Sequence, residues 1–276
     1  MNKKSTMMKN FLKHFVLILV AAVVLFPFFW IILQSFKTSF DVIAYPPKFI
    51  FQPTWQNYLS TLQRQGFLMA FRDSLLVSLG SVILTLLIGT PFGYVLSRFR
   101  FRGREDIGFY VLSTRMMPPI VVIIPFVRIF HALGIIDTHV GLILAGVLVN
   151  LALVVWMMRG FFSGIPAEID EAALIDGCSR LSALRWIVLP LVTPGLVSTA
   201  MLSFLFSWNE FIFALSLTSF NVRTLPVYIA TEFIGYLAVD WGALSAAGVL
   251  AILPGLLFII AIQKHLVKGL TFGAIK

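Results

Sequence analysis

Six apolar runs, each long enough to cross a bilayer core of about 30 Å, alternate with polar stretches along the chain. They lie at about 15–33, 74–96, 107–130, 140–158, 191–217 and 243–262. The pattern predicts an all-α integral membrane protein, with one transmembrane domain over 1–276 built from six helices. The first run exceeds the apolar core of a cleaved signal peptide and no A-x-A-like site follows it, so it is read as a span with Pro27 as a tolerated kink. Between the first two runs, Ser35 to Asp73 is too polar to span and carries Trp55 and Tyr58; it is expected to lie along the far membrane surface. Gly80, Gly89, Pro91 and Gly93 in the second run predict close helix contact. The third run is expected to break at Pro118-Pro119 and again at Pro125.

The polar loop 159–190, between the fourth and fifth runs, has the punctuation of two short helices. Pro166 opens the first, because the N–H it lacks is one a helix start leaves free. Gly177 closes it in the left-handed conformation. Ser179 caps a second helix that runs to Leu189, where Pro190 interrupts the ladder. The product is helix, elbow, helix. Glu168, Asp170, Glu171 and Asp176 gather acid on the first of these helices, where the dipole favours it near the start.

Charge orients the bundle. The chain has 276 residues, 59% of them hydrophobic and 12% charged, with a formal net charge of +9. Its mean hydropathy is +0.96 and its pI about 9.9. Such a pI in a soluble chain would suggest nucleic acid, but here the basic residues flank apolar runs. Lys3, Lys4, Lys9 and Lys13, Arg98, Arg100, Arg102 and Arg104, Arg159, Arg180 and Arg185, and Lys264, Lys268 and Lys276 fall on one side. Lys37, Lys48, Arg64, Arg72 and Arg223 fall on the other, with Arg115 and Arg128 in or beside the third run. By the positive-inside rule both termini and the 159–190 elbow are cytoplasmic. The single cysteine, Cys178, excludes an intramolecular disulfide and is read as a small packing residue beside Gly177.

Within the elbow, Glu171-Ala172-Ala173, then Gly177 after three residues, then Ile187, Leu189 and Pro190 after nine more, fill the pattern EAA-x3-G-x9-I-x-L-P. Seven fixed positions at roughly one in fifteen each make a chance match on the order of one in 10⁸ per starting point. The pattern resembles the cytoplasmic signature loop of the membrane subunits of bacterial ABC importers. Trp208-Asn209-Glu210-Phe211, Thr224-Leu225-Pro226, the stretch Gly134 to Leu144 and the ending Lys268 to Ala274 are similar to the carbohydrate-uptake group, and within it to the shorter maltose-type permease subunit. The resemblance implies a type I, binding-protein-dependent permease of the bacterial inner membrane. It further implies a heterodimer with a second permease, a cytoplasmic ABC ATPase dimer below and an extracytoplasmic sugar-binding protein above. It also implies alternating access, driven by closure of the ATPase dimer on ATP.

Each candidate residue has a plainer alternative. Glu171 is expected to pair with a basic residue of the ATPase, with Ala172 and Ala173 as the groove-facing surface and Gly177 as the hinge; the alternative for Glu171 is an exposed carboxylate worth little. Arg180 and Arg185 are read as interfacial anchors. Trp208, Asn209 and Glu210 lie at membrane depth, where an ionisable residue faces a cavity or a partner. They are candidates for the sugar path, and Glu210 equally for capping a helix break or bonding a sister subunit. Asn150 is a further path candidate, tilted toward interhelical hydrogen bonding. Arg115 is read as satisfying a carbonyl, with a gate as the alternative.

His14, His131, His139 and His265 show no metal-ligand grouping, and His131 and His139 are read as surface residues. No cofactor is expected. No G-x-x-x-x-G-K-[ST] occurs, so ATP hydrolysis is assigned to a separate chain and this one is not an enzyme. A secondary carrier would require inverted repeats and paired intramembrane carboxylates. A membrane enzyme would require a nucleophile with a base, or a metal cluster. The sequence displays neither set.

Overall fold

The computed structural model describes residues 3–234 and 239–271. Phe272 to Ala274 of the C-terminal ending, and Lys276, lie outside the described residues. Among those described, all regular structure is helical; the exception is an isolated antiparallel bridge between Ile234 and Val239. The helices are α1 (Lys3–Ser35), the short α2 (Ser39–Val42), α3 (Gln56–Gln63), α4 (Phe67–Arg98), α5 (Arg104–Thr114), α6 (Pro119–Ala132) and α7 (His139–Ser163). Then follow α8 (Glu168–Ile175), α9 (Arg180–Leu191), α10 (Thr193–Trp208), α11 (Ile212–Leu217), α12 (Leu225–Glu232) and α13 (Trp241–Thr271).

Stretches of α1, α4, α7 and α13 are long and apolar enough to cross a membrane. Two bent pairs, α5 with α6 at 93° and α9 with α10 at 81°, bring the number to six if each counts as one span. The expected interruptions are redistributed. Pro118 precedes another proline, which keeps it extended at ψ 129°, and Pro119 then opens α6. Pro125 lies inside α6 without breaking it, because it forfeits only one ladder bond. The run at 191–217 is two helices, since α10 ends at Trp208 and α11 begins at Ile212.

The helices sort into two compact units. The first comprises Met1–Phe67 and Ile229–Ile252. In it α1 is apolar on all sides and exposed from Phe15 to Phe29, as suits a helix bathed in lipid. Its C-terminal end is capped by the aromatic segment that follows. The Asn57 amide donates to the carbonyls of Ser35 (2.9 Å) and Lys37 (2.7 Å), and the hydroxyls of Ser35 and Tyr58 are 2.7 Å apart. Lys37 is buried, its ammonium 4.9 Å from the Trp30 ring centre and 5.3 Å from that of Phe51.

The second unit comprises Leu68–Tyr228 and Leu253–Lys276. Its frame is α4 lying against α7. Ser74, Ser78, Ser81, Thr85, Gly89 and Gly93 recur at three- and four-residue spacing down α4, and all are buried. Two of them show what small size is for: a methyl group on Gly89 would meet a Val154 methyl at 2.7 Å, and one on Gly93 the Arg159 amide nitrogen at 2.9 Å. Two apolar clusters flank this contact. One gathers Val77, Phe130, Leu142, Phe213 and Leu217; the other gathers Tyr94, Met158, Phe162, Leu184 and Val188 where α4, α7 and α9 meet.

The turn between α6 and α7 is tied to the segment after α11 by one side chain. Asp137, in the left-handed region at φ 57°, accepts the amides of Ser219, Phe220, Asn221 and Val222 at 3.0 to 3.3 Å. Burial by itself would raise its pKa, but the four amides outweigh burial and lower it to about 2. Since an unfolded aspartate ionises near ~3.9, this contribution is complete above about pH 4 and is lost as the pH falls toward 2. Asp137→Ala should speed hydrogen exchange of the amides at 219–222 by about tenfold at pH 7; unchanged rates would show that the loop holds itself.

Candidate functional site

The segment between α7 and α10 is built as two short helices turned about Gly177. The α8 helix ends with Gly177 at φ 87°. The Gly177 amide donates to Leu174 (3.1 Å) and the Cys178 amide to Ala173 (3.0 Å), which is the Schellman pattern of paired bonds. Ser179 then caps α9, its hydroxyl accepting the Ser182 amide at 3.2 Å. Pro190 does not stop α9, which reaches Leu191. A π-turn over Leu184–Val188 sends the Leu189 amide to the Leu184 carbonyl, and the wider register absorbs the donor that proline lacks. The chain then turns by 81° into α10.

The acids of α8 divide between its two faces. Asp170 is buried, its carboxylate 2.8 Å from Arg98 Nε and accepting the Tyr94 hydroxyl at 2.5 Å. Arg98 also donates to the Ile165 carbonyl at 2.9 Å, just ahead of α8. Ala173, one turn on, is buried as well. That corrects the expectation of two groove-facing alanines: spacing of three puts Ala173 on the inward face with Asp170. Glu168, Glu171, Ala172 and Ile175 form the outward face, Ile175 at 86% exposure. On α9, Leu181 and Trp186 are 73% and 70% exposed, and Arg185 lies over the Trp186 ring at 5.0 Å. Arg180 covers Phe99 at 4.9 Å.

The residues at membrane depth converge on the break between α10 and α11. Trp208 is buried, stacked on Phe204 and edge-on to Phe71, each at 5.7 Å. Asn209 is exposed, its amide donating to the Leu205 carbonyl at 2.8 Å. Glu210 caps α11: its two oxygens accept the amides of Phe213 (2.8 Å) and Ala214 (2.9 Å). Asn150 is buried on α7 and donates to Ser207 Oγ on α10 at 2.9 Å, an interhelical bond. Arg115 donates to the Val149 carbonyl at 3.2 Å and lies over the Phe206 ring at 4.4 Å. The structure thus brings Asn150 and the Trp208–Glu210 triplet together, apart from the elbow.

Sequence reasoning missed Asp170 as an inward anchor and Ile175, Leu181 and Trp186 as outward apolar residues. The three-residue spacing of Asp170 and Ala173 was the available signal for the first. His139 is also more than a surface residue, since its Nε2 is 3.0 Å from the buried Asp73 carboxylate. Among the described residues no three His, Cys, Asp or Glu side chains gather as a metal site.

Residues 89–272 match the family described as "Binding-protein-dependent transport system inner membrane component". A trehalose/maltose transport system permease protein of Thermococcus litoralis is 35% identical over 262 residues, covering 94% of each chain. A sulfoquinovosyl glycerol transport system permease protein of Agrobacterium fabrum is 35% identical over 254 residues, 91% of this chain and 89% of that one. The fold matches a chain of a bacterial ABC transporter involved in import of the acidic polysaccharide alginate, with a TM-score of 0.81 at 22% identity, over 96% of this chain and 99% of that one. With a family match over most of its length and relatives aligned almost end to end, this chain belongs to the binding-protein-dependent transport system inner membrane components, as a multi-pass ABC permease subunit and not an enzyme.

Proposed function

We propose that this chain is the membrane-spanning permease subunit of an ATP-driven importer that moves a carbohydrate, whether oligosaccharide, polyol or sugar phosphate, into the cytoplasm. The substrate class follows the named cargoes of its relatives. Its orientation follows the basic flanks, with both termini and the elbow inside. A second, homologous permease completes the pathway as a heterodimer, a dimer of cytoplasmic ATPases docks on the elbow, and an extracytoplasmic binding protein delivers the sugar. Closure of the ATPases on ATP moves the elbow, and the spans alternate between inward and outward access.

The observation that carries this reading is the outward face of α8. Glu171 and Ala172 are exposed beside Ile175, with Gly177 setting the turn into Leu181, which is exposed as well. A narrow helix face with the acids Glu168 and Glu171 among small and apolar side chains suits a groove on a partner, the helix-in-groove mode. Glu171 is the proposed ion-pair partner of an ATPase base, and Ala172 the close contact. Ile175 and Leu181 supply the apolar area that an exposed patch of this kind marks as an interface.

For the sugar path, Asn209 is the most accessible of the candidates. Trp208, Asn150 and Glu210 act from behind it, by packing, by the α7–α10 bond and by capping α11.

Affinity purification of the chain from its native membrane in mild detergent, with mass spectrometry, should recover an ATPase, a second permease and a solute-binding protein whose ligand names the sugar. Recovery of the chain alone, with transport in vesicles lacking ATP, would overturn the proposal. Glu171→Ala should lower ATPase recovery and uptake by about tenfold or more, the scale of an interfacial charge left without its partner. Gly177→Val should place a β-branched residue in the left-handed region, a strain of about 1–2 kcal/mol, and disrupt docking; normal ATPase recovery would reduce Gly177 to a simple helix end. Asn209→Ala should raise the KM for uptake by about three- to tenfold with ATPase recovery unchanged.

A further inference from the structure

We infer that Asp170 is a positioning residue: with Arg98 and Tyr94 it joins α8 to the C-terminal end of α4, so that displacement of the elbow is carried along α4. The inference rests on the docking reading of α8 and adds the route by which a push on that helix leaves it.

Both ends of α4 are held by buried side chains. At its C-terminal end, Arg98 reaches the Asp170 carboxylate at 2.8 Å and the Ile165 carbonyl at 2.9 Å, so one guanidinium grips α8 and the backbone leading into it. Tyr94, one turn earlier, donates to the same carboxylate at 2.5 Å, and its ring is held edge-on by Phe162 of α7 at 5.3 Å. Side-chain exposures of 10% for Arg98 and 12% for Asp170 leave water little room to relax the pair. Near the other end, buried Asp73 meets His139, at the start of α7, at 3.0 Å, and Ser74 accepts the Leu225 amide at 2.6 Å. A 32-residue helix spans about 48 Å, so α4 links the elbow to the turns at its far end as a strut. Otherwise the eight-residue α8 is held by the backbone turns at either side and by packing against α9, with Ala173 buried. Without the joint, those turns would absorb the displacement.

A buried charge left alone is strongly destabilising, whereas replacing both partners by apolar residues of similar volume is often neutral. The informative variant is therefore the double replacement Asp170→Leu with Arg98→Met, beside Asp170→Asn. The probe is ATP with orthovanadate, added to the complex as purified with its own ATPase and placed in nanodiscs. Movement of α4 is read at Met69→Cys, on an exposed site near its N-terminal end, in a Cys178→Ser background, as the rate of labelling by a hydrophilic maleimide.

With the joint intact, ATP and vanadate should change the labelling rate at least threefold. In the double variant the ATPase should still co-purify and hydrolyse ATP, and the change in labelling should vanish. A nucleotide-dependent change that persists in the double variant overturns the inference. Loss of ATPase recovery in the double variant also overturns it, because Asp170 would then serve docking or folding. Glu171→Ala, run in parallel, separates the two ideas: normal ATPase recovery there defeats the docking reading, whatever Asp170 does.

Discussion

In a bilayer, apolar side chains gain nothing by leaving lipid for one another, so helices associate only where their backbones approach closely enough for dense packing and polar contact. The stripe from Ser74 to Gly93 on α4 meets that constraint. Larger residues at Gly89 or Gly93 would push α4 away from α7 at the level where α9 and the elbow are seated. The Asp170 joint, the cluster around Met158 and the turn into α10 all assume that this separation is kept. Polar groups inside the unit follow the same logic: Asn150 to Ser207 and Arg115 to Val149 are short bonds between helices already brought close.

Local chemistry was legible in the sequence and pairing at a distance was not. Gly177 and Ser179 announce their geometry because a left-handed turn and a hydroxyl cap involve only neighbouring residues. The small stripe on α4 was partly visible through Gly80, Gly89 and Gly93, although its serines and threonine read as ordinary polar positions in a span. For Asp170 the three-residue spacing to Ala173 hinted at a shared face but not at its partners. Adjacent acids in an eight-residue helix look alike until the partners are known, and Tyr94 is 76 positions away. The π-turn before Pro190 was hidden for a related reason, since only the surrounding packing decides whether proline ends a helix or is absorbed by a wider register.

The break at Asn209 to Phe211 illustrates how a charged residue is tolerated at membrane depth. Hydropathy alone runs 191–217 together, because Glu210 is a single charge in a long apolar stretch. The backbone resolves it differently: α11 starts afresh, and its first free amides receive the carboxylate. The acid is thus part of the helix start, and Asn209 is left on the accessible side of the same turn.

The four amides gathered by Asp137 separate the shape of that loop from its spelling. Ser219, Phe220, Asn221 and Val222 contribute backbone N–H groups, so their side chains do not enter the bond. The carboxylate has no comparable substitute: a carboxamide has only one acceptor oxygen, and a longer acid would displace the turn. The four donors, including the outermost Phe220, can therefore be respelled without loss of the contour on which they are displayed, provided that the aspartate stays.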